Sequence, residues 1–87
     1  MICHEGLLEL KKHDEENQTQ YMETLRVYLE QHLSATQAAR ELFIHRSTFL
    51  YRLDRIKEIL QSELDDPEEI FYLELSFRLL EQEREKE

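Results

Sequence analysis

Apolar residues recur at helical spacing in several stretches of this chain, and the polar residues between them mark the joints. Met22, Leu25 and Leu29, with Tyr21 and Tyr28 beside them, predict a helix over 19–32. Ser34 followed by Gln37 has the pattern of a capping box and opens a short second helix over 35–42, which holds Ala38, Ala39 and Leu42. Phe49, Leu53, Ile56 and Leu60 then form one narrow stripe at i, i+4, i+7 and i+11, predicting a helix over 46–60. Asp66-Pro67-Glu68-Glu69 reads as an N-cap, a proline at the first helical position and an acidic first turn. It starts a fourth helix over 67–85, striped by Ile70, Leu73, Phe77 and Leu80. Residues 1–18 show no strong period beyond a short apolar turn at Leu7, Leu8 and Leu10, and 11–20 are polar throughout. They are expected to be a linker or partly ordered segment ahead of a domain at 19–85.

The fold class expected is therefore all-α, a four-helix domain with no sheet. Composition agrees. With 87 residues the chain makes one domain with a small core. One glycine (Gly6) and one proline (Pro67) argue against a turn-rich β protein. A lone Cys3 excludes an internal disulfide framework and a cysteine zinc site, and fits a reducing cytoplasm. No run approaches 18 consecutive apolar residues, so no membrane span is expected, nor is an exported leader visible.

Charge changes the picture more than composition does. The net charge of −9 speaks against nonspecific binding to nucleic acid or to an anionic membrane. Its distribution matters more than its sum. Residues 1–32 hold seven acids and three bases, and 61–87 hold ten acids and three bases. Between them, Arg40, Arg46, Arg52, Arg55 and Lys57 face only Glu41, Asp54 and Glu58. The middle third is a basic island.

That island coincides with the two central helices, and a short helix joined tightly to a longer one describes a helix-turn-helix. Ala39 lets the pair approach closely, with Leu42, Ile44, Phe49 and Leu53 as their shared core. At about 100° per residue from Phe49, Ser47 and Tyr51 fall on the opposite side, with Thr48 and Arg55 on one flank. Asp54 and Glu58 share that outer face and would be repelled by phosphates, so only the first two turns can enter a major groove. His45, Arg46, Ser47, Thr48 and Tyr51 are the candidates for groove contact, with Arg46 and Tyr51 expected at base edges. Arg52, Arg55, Thr36 and Gln37 are the candidates for phosphates.

At this point a resemblance becomes specific. The string Ala-Ala-Arg-Glu-Leu-Phe-Ile-His-Arg-Ser-Thr-Phe-Leu-Tyr-Arg-Leu-Asp-Arg-Ile, from Ala38 to Ile56, resembles the C-terminal helix-turn-helix of PucR/CdaR-type bacterial regulators. The likeness runs upstream through Glu23–Glu30 and downstream through Leu64–Glu68 and the helix after it, covering about residues 13–80. More distantly the helix pair is similar to the Fis type and to homeodomains. Ser47 replaces the family's usual asparagine, Phe49 its leucine, and Leu50 stands where a basic residue is common. The resemblance implies sequence-specific binding of double-stranded DNA as the C-terminal domain of a transcriptional regulator. It also implies a ligand-sensing region upstream, absent from this chain, that senses a small-molecule effector.

A homodimer is expected, because one weakly basic helix-turn-helix needs a two-fold site, and Tyr72, Leu75 and Leu79 are the candidate interface. No cofactor or metal is expected: Cys3, His4, His13 and Asp14 fit no ligand spacing. No enzyme is expected either, since no phosphate-binding glycine loop or preorganised nucleophile exists. The alternative is an acidic helical module that binds a protein partner or dimerises without DNA. The two differ in whether Arg46, Arg52 and Arg55 line an uncompensated surface or lie under acids of the last helix.

Overall fold

A computed structural model describes residues 3–86, and in it the described residues form five helices and no strand. They are α1 (Glu5–Asn17), α2 (Tyr21–Glu30), α3 (Ala35–Glu41), α4 (Arg46–Leu60) and α5 (Pro67–Lys86). The last two match the periodicity closely. Asp66 Oδ1 accepts the Glu68 amide at 3.1 Å, with Pro67 at the first position of α5, so that helix starts where the local signal put it. Ser34 Oγ accepts the Gln37 amide at 3.2 Å and caps α3.

The helix at the start of the chain is the departure from expectation. The stretch expected to be linker folds as α1, and its Leu7 and Leu10 are fully buried. Two leucines three residues apart are too few for a periodic signal. Long-range packing stabilises them instead. A Cβ added at Gly6 would stand 3.1 Å from the Leu60 Cα, so this glycine lets α1 cross the end of α4 nearly backbone to backbone. His4 secures the other side: its amide donates to Ser76 Oγ at 3.0 Å, and its Nε2 lies 3.0 Å from Glu69 Oε2. Asp14 builds the corner into α2 by accepting the amides of Tyr21 (2.9 Å) and Met22 (2.8 Å). Gln20, at the N-cap position, makes no side-chain cap, so α1 supplies the cap that α2 lacks.

The remaining joints do without glycine. Gln18, His32, Leu33, Phe43, Gln61 and Leu64 all adopt positive φ, which costs a non-glycine residue of order 1–2 kcal/mol. Three of the turns recover hydrogen bonds from that geometry. Leu33, Ile44 and Ser62 donate to the carbonyls of Tyr28 (2.9 Å), Ala39 (3.1 Å) and Lys57 (3.1 Å), the six-to-one bond of a Schellman ending. Around these joints one core collects Leu7, Leu10, Leu25, Phe49, Ile56 and Leu73, all fully buried. The Tyr28 ring closes on Phe49 with centroids 5.5 Å apart.

Candidate nucleic-acid interface

The two central helices meet as the small residues require. Ala38 is fully buried and Ala39 is nearly so, and the turn after them is fixed by backbone bonds from Phe43 to Arg40 (3.1 Å) and from Ile44 to Ala39 (3.1 Å). Leu42 and Ile44 pack partly buried against the core, while Phe49 and Leu53 lie within it. The apolar stripe of α4 is thus consumed, and the opposite side of that helix is left to solvent.

On that outer side the expected residues divide into three groups. His45, Arg46, Ser47, Thr48 and Tyr51 are exposed, Tyr51 at 64%, and their side chains make no hydrogen bond or ion pair with the described residues. Thr36 and Gln37 are likewise exposed at the start of α3. Arg52 and Arg55, by contrast, already have partners. Arg52 Nη1 donates to Thr24 Oγ1 at 3.3 Å and so reaches back onto α2. Arg55 pairs with Glu58 one turn along its own helix, at 2.9 Å. Such an exposed pair is worth a few tenths of a kcal/mol, too little to hold Arg55 against a competing phosphate.

Two residues of this surface escaped the sequence analysis as site candidates. Arg40 is exposed on α3 and unpaired, one turn after Thr36 and therefore on the same face. That spacing was the available signal. Phe43, at the left-handed position of the turn, is 95% exposed. No pattern marked it, because an aromatic residue between two helices is ordinarily assigned to the core. His45 occupies the N-cap position of α4 without a side-chain hydrogen bond, which leaves the amides of the first turn open to a partner. None of the ion pairs found among the described residues joins an acid of α5 to an arginine of α3 or α4.

A helical core, a tight α3–α4 turn and an exposed, partner-free outer face on the first turns of α4 define a helix-turn-helix DNA-binding domain. Comparison with known proteins gives the family. Residues 21–79 match the PucR C-terminal helix-turn-helix domain, and the chain belongs to that family of transcriptional-regulator domains.

The purine catabolism regulatory protein of Bacillus subtilis (strain 168) is 38% identical over 73 residues, 84% of this chain and 14% of that protein. The proline-responsive transcriptional activator PutR of the same strain is 40% identical over 57 residues, 66% of this chain and 14% of its own length. The DNA-binding transcriptional activator AdeR, also from that strain, is 32% identical over 74 residues, 85% of this chain and 18% of its own. The chain therefore spans less than a fifth of these relatives. No solved structure matches it significantly. Helix α1 lies ahead of the matched segment, so the family match and the folded unit do not begin together.

Proposed function

We propose that this domain reads specific DNA sites with the first two turns of α4 in the major groove, Ser47, Thr48 and Tyr51 facing base edges and His45 at the groove mouth. The observation that carries this reading is the exposed, unpartnered Ser47–Thr48–Tyr51 face, opposite the buried stripe of the same helix. Asp54 and Glu58 are exposed further along it and keep the later turns out of the groove. Thr36 and Gln37 meet the backbone from α3, and Arg55 exchanges Glu58 for a phosphate. Arg52 acts by positioning, holding α4 to α2 through Thr24.

The domain works in the cytoplasm as the C-terminal part of a longer regulator whose upstream region senses a small molecule, and it catalyses nothing. Two copies pair on a two-fold site through α5. The Tyr72 ring lies 5.4 Å from that of His4, so the surface offered for pairing is Phe71, 65% exposed, with the half-buried Leu75 and Leu79 at successive turns. Glu74 and Arg78 flank it, and antiparallel copies bring these opposite charges together.

The test is a competition binding measurement at fixed salt, using DNA from the chain's own upstream promoter against a scrambled duplex. A preference for the promoter that Tyr51→Ala erodes supports the reading. Equal binding to both duplexes, unchanged in that variant, overturns it. Sedimentation at high micromolar concentration tests the pairing, and Leu75→Glu is expected to return the domain to monomer.

A further inference from the structure

Where α3 and α4 diverge from the Phe43 turn they enclose a shallow depression of about 440 Å³. Ala39 and Ile44 line it, and Thr36, Arg40, His45 and Arg46 supply its polar groups. Two arginines therefore line one small concavity, and the side chain of neither has an ion pair or hydrogen bond with the described residues. Lys11, Lys12, Lys57 and Arg78 are also unpaired among the described residues, but none of them lines this depression. Acids outnumber bases by nine, and Arg26 is bound by two carboxylates and Arg55 by one. Glu41, next to Arg40 in the chain, is exposed and paired with nothing. Uncompensated like charges repel, and a shared anion turns that repulsion into attraction.

The depression also lies beside the reading face. Arg46 immediately precedes Ser47, yet at about 100° per residue it sits only about 60° from Phe49, on the flank that faces α3 rather than the flank of Tyr51. It lines the depression with Arg40 and Thr36, which Ser47, Thr48 and Tyr51 do not. Planar guanidinium groups suit phosphate oxygens because their donors match the spacing of those oxygens.

We infer that this depression seats one phosphodiester of the DNA strand bordering the groove, clamped by Arg40 and Arg46 with the Thr36 hydroxyl as a third donor. The inference rests on α4 being the DNA-reading helix. It removes Arg46 from the base readers and leaves sequence discrimination to Ser47, Thr48 and Tyr51.

Binding to promoter and scrambled duplexes, each two helical turns long, is measured across a salt series for the parent, Arg40→Ala, Arg46→Ala and Tyr51→Ala, with thermal melting of each variant as a check on folding. Arg40→Ala and Arg46→Ala are expected to weaken both duplexes by the same factor and to lower the slope of log K against log salt by about 0.9 each. Between 50 and 200 mM salt that slope change corresponds to a roughly three- to fourfold smaller loss of affinity than the parent shows. Tyr51→Ala is expected to keep the slope and lose the preference.

If the parent prefers the promoter and Tyr51→Ala erodes that preference while both arginine variants keep the parental slope, the clamp is wrong and the reading by α4 stands. If Arg46→Ala behaves like Tyr51→Ala, Arg46 is a base reader and the clamp is again wrong. If no duplex binds with a salt-dependent affinity, both ideas fall. If Arg40→Ala binds DNA like the parent but supports less transcription by RNA polymerase, the depression meets a protein, which also overturns the clamp.

Discussion

The two ends of this small domain treat their polar groups in opposite ways. Where α1 meets α5, polar side chains bond one another: His4 to Glu69, Glu69 to Ser62, the His4 amide to Ser76, and Ser76 to the Tyr72 carbonyl. On the α3–α4 side, the side chains of Arg40, Arg46, Ser47, Thr48 and Tyr51 bond nothing in the described chain. The first arrangement orders the chain and completes a core that would otherwise be marginal for its size. The second leaves donors ready for an outside partner, which is what reading DNA requires. The contrast separates polar groups that hold the fold from polar groups left open to a partner, although both sides share one core.

The largest expected effect comes from the α1 side. Leu10→Ala empties a fully buried site and is expected to lower unfolding free energy by about 2–5 kcal/mol. Urea unfolding measures it, and a loss under about 0.5 kcal/mol, typical of a surface change, would show that α1 does not belong to the core. Within the α3–α4 side, Ala39→Leu should overpack the crossing of the two helices and cost roughly 1–3 kcal/mol. An unchanged melting temperature would place Ala39 away from that contact.

A smaller change of opposite sign is expected at the turn. Phe43 has φ 57° and is 95% exposed, so glycine there relieves backbone strain and loses little packing. The greater freedom of unfolded glycine offsets part of the gain, leaving a net stabilisation of up to about 1 kcal/mol. Calorimetry checks it, and a destabilised Phe43→Gly would show that the ring packs on the fold.

The smallest effect concerns Glu69. Burial disfavours its charge, but hydrogen bonds from Ser62 and His4 and the nearby His4 charge outweigh that and hold its carboxyl below the usual carboxylate range. A carboxyl lowered on folding contributes stability above its unfolded pKa of about 4.3, and that contribution is lost as pH falls through the folded value. Glu69→Gln should therefore lower the melting temperature slightly at neutral pH and flatten its decline in acid. Parallel pH profiles for parent and variant would contradict the assignment.

How legible each side was in the sequence follows from the range of its interactions. The start of α5 was written in adjacent residues, Asp66 and Pro67, and α4 in a stripe repeated within one helix. The helix-turn-helix needed only these local signals. Helix α1 depends on Gly6 against Leu60 and on His4 against Ser76, partners that no local window contains. The same limit applied to the arginines. Sequence placed Arg46 in the groove and Arg52 and Arg55 at phosphates; Glu58 lies one turn from Arg55 in the same helix, but the Thr24 that engages Arg52 lies on α2, outside any local window. Arg40 was counted in the basic island but not as a site residue, and only the fold shows it lining one depression with Arg46.

On the proposed reading the outer face of α4 recognises DNA sequence, while the polar contacts of Glu69 between α1 and α5 only stabilise the domain. The most direct measurement is the ratio of affinities for promoter and scrambled duplexes at one salt concentration, compared between Tyr51→Ala and Glu69→Gln. Loss of a specific base contact is expected to shrink the ratio roughly tenfold in Tyr51→Ala, within the 1–3 kcal/mol range of such contacts. The ratio should stay at the parental value in Glu69→Gln. A parental ratio in Tyr51→Ala, or an equal fall in both variants, would contradict the division of labour proposed for the two sides.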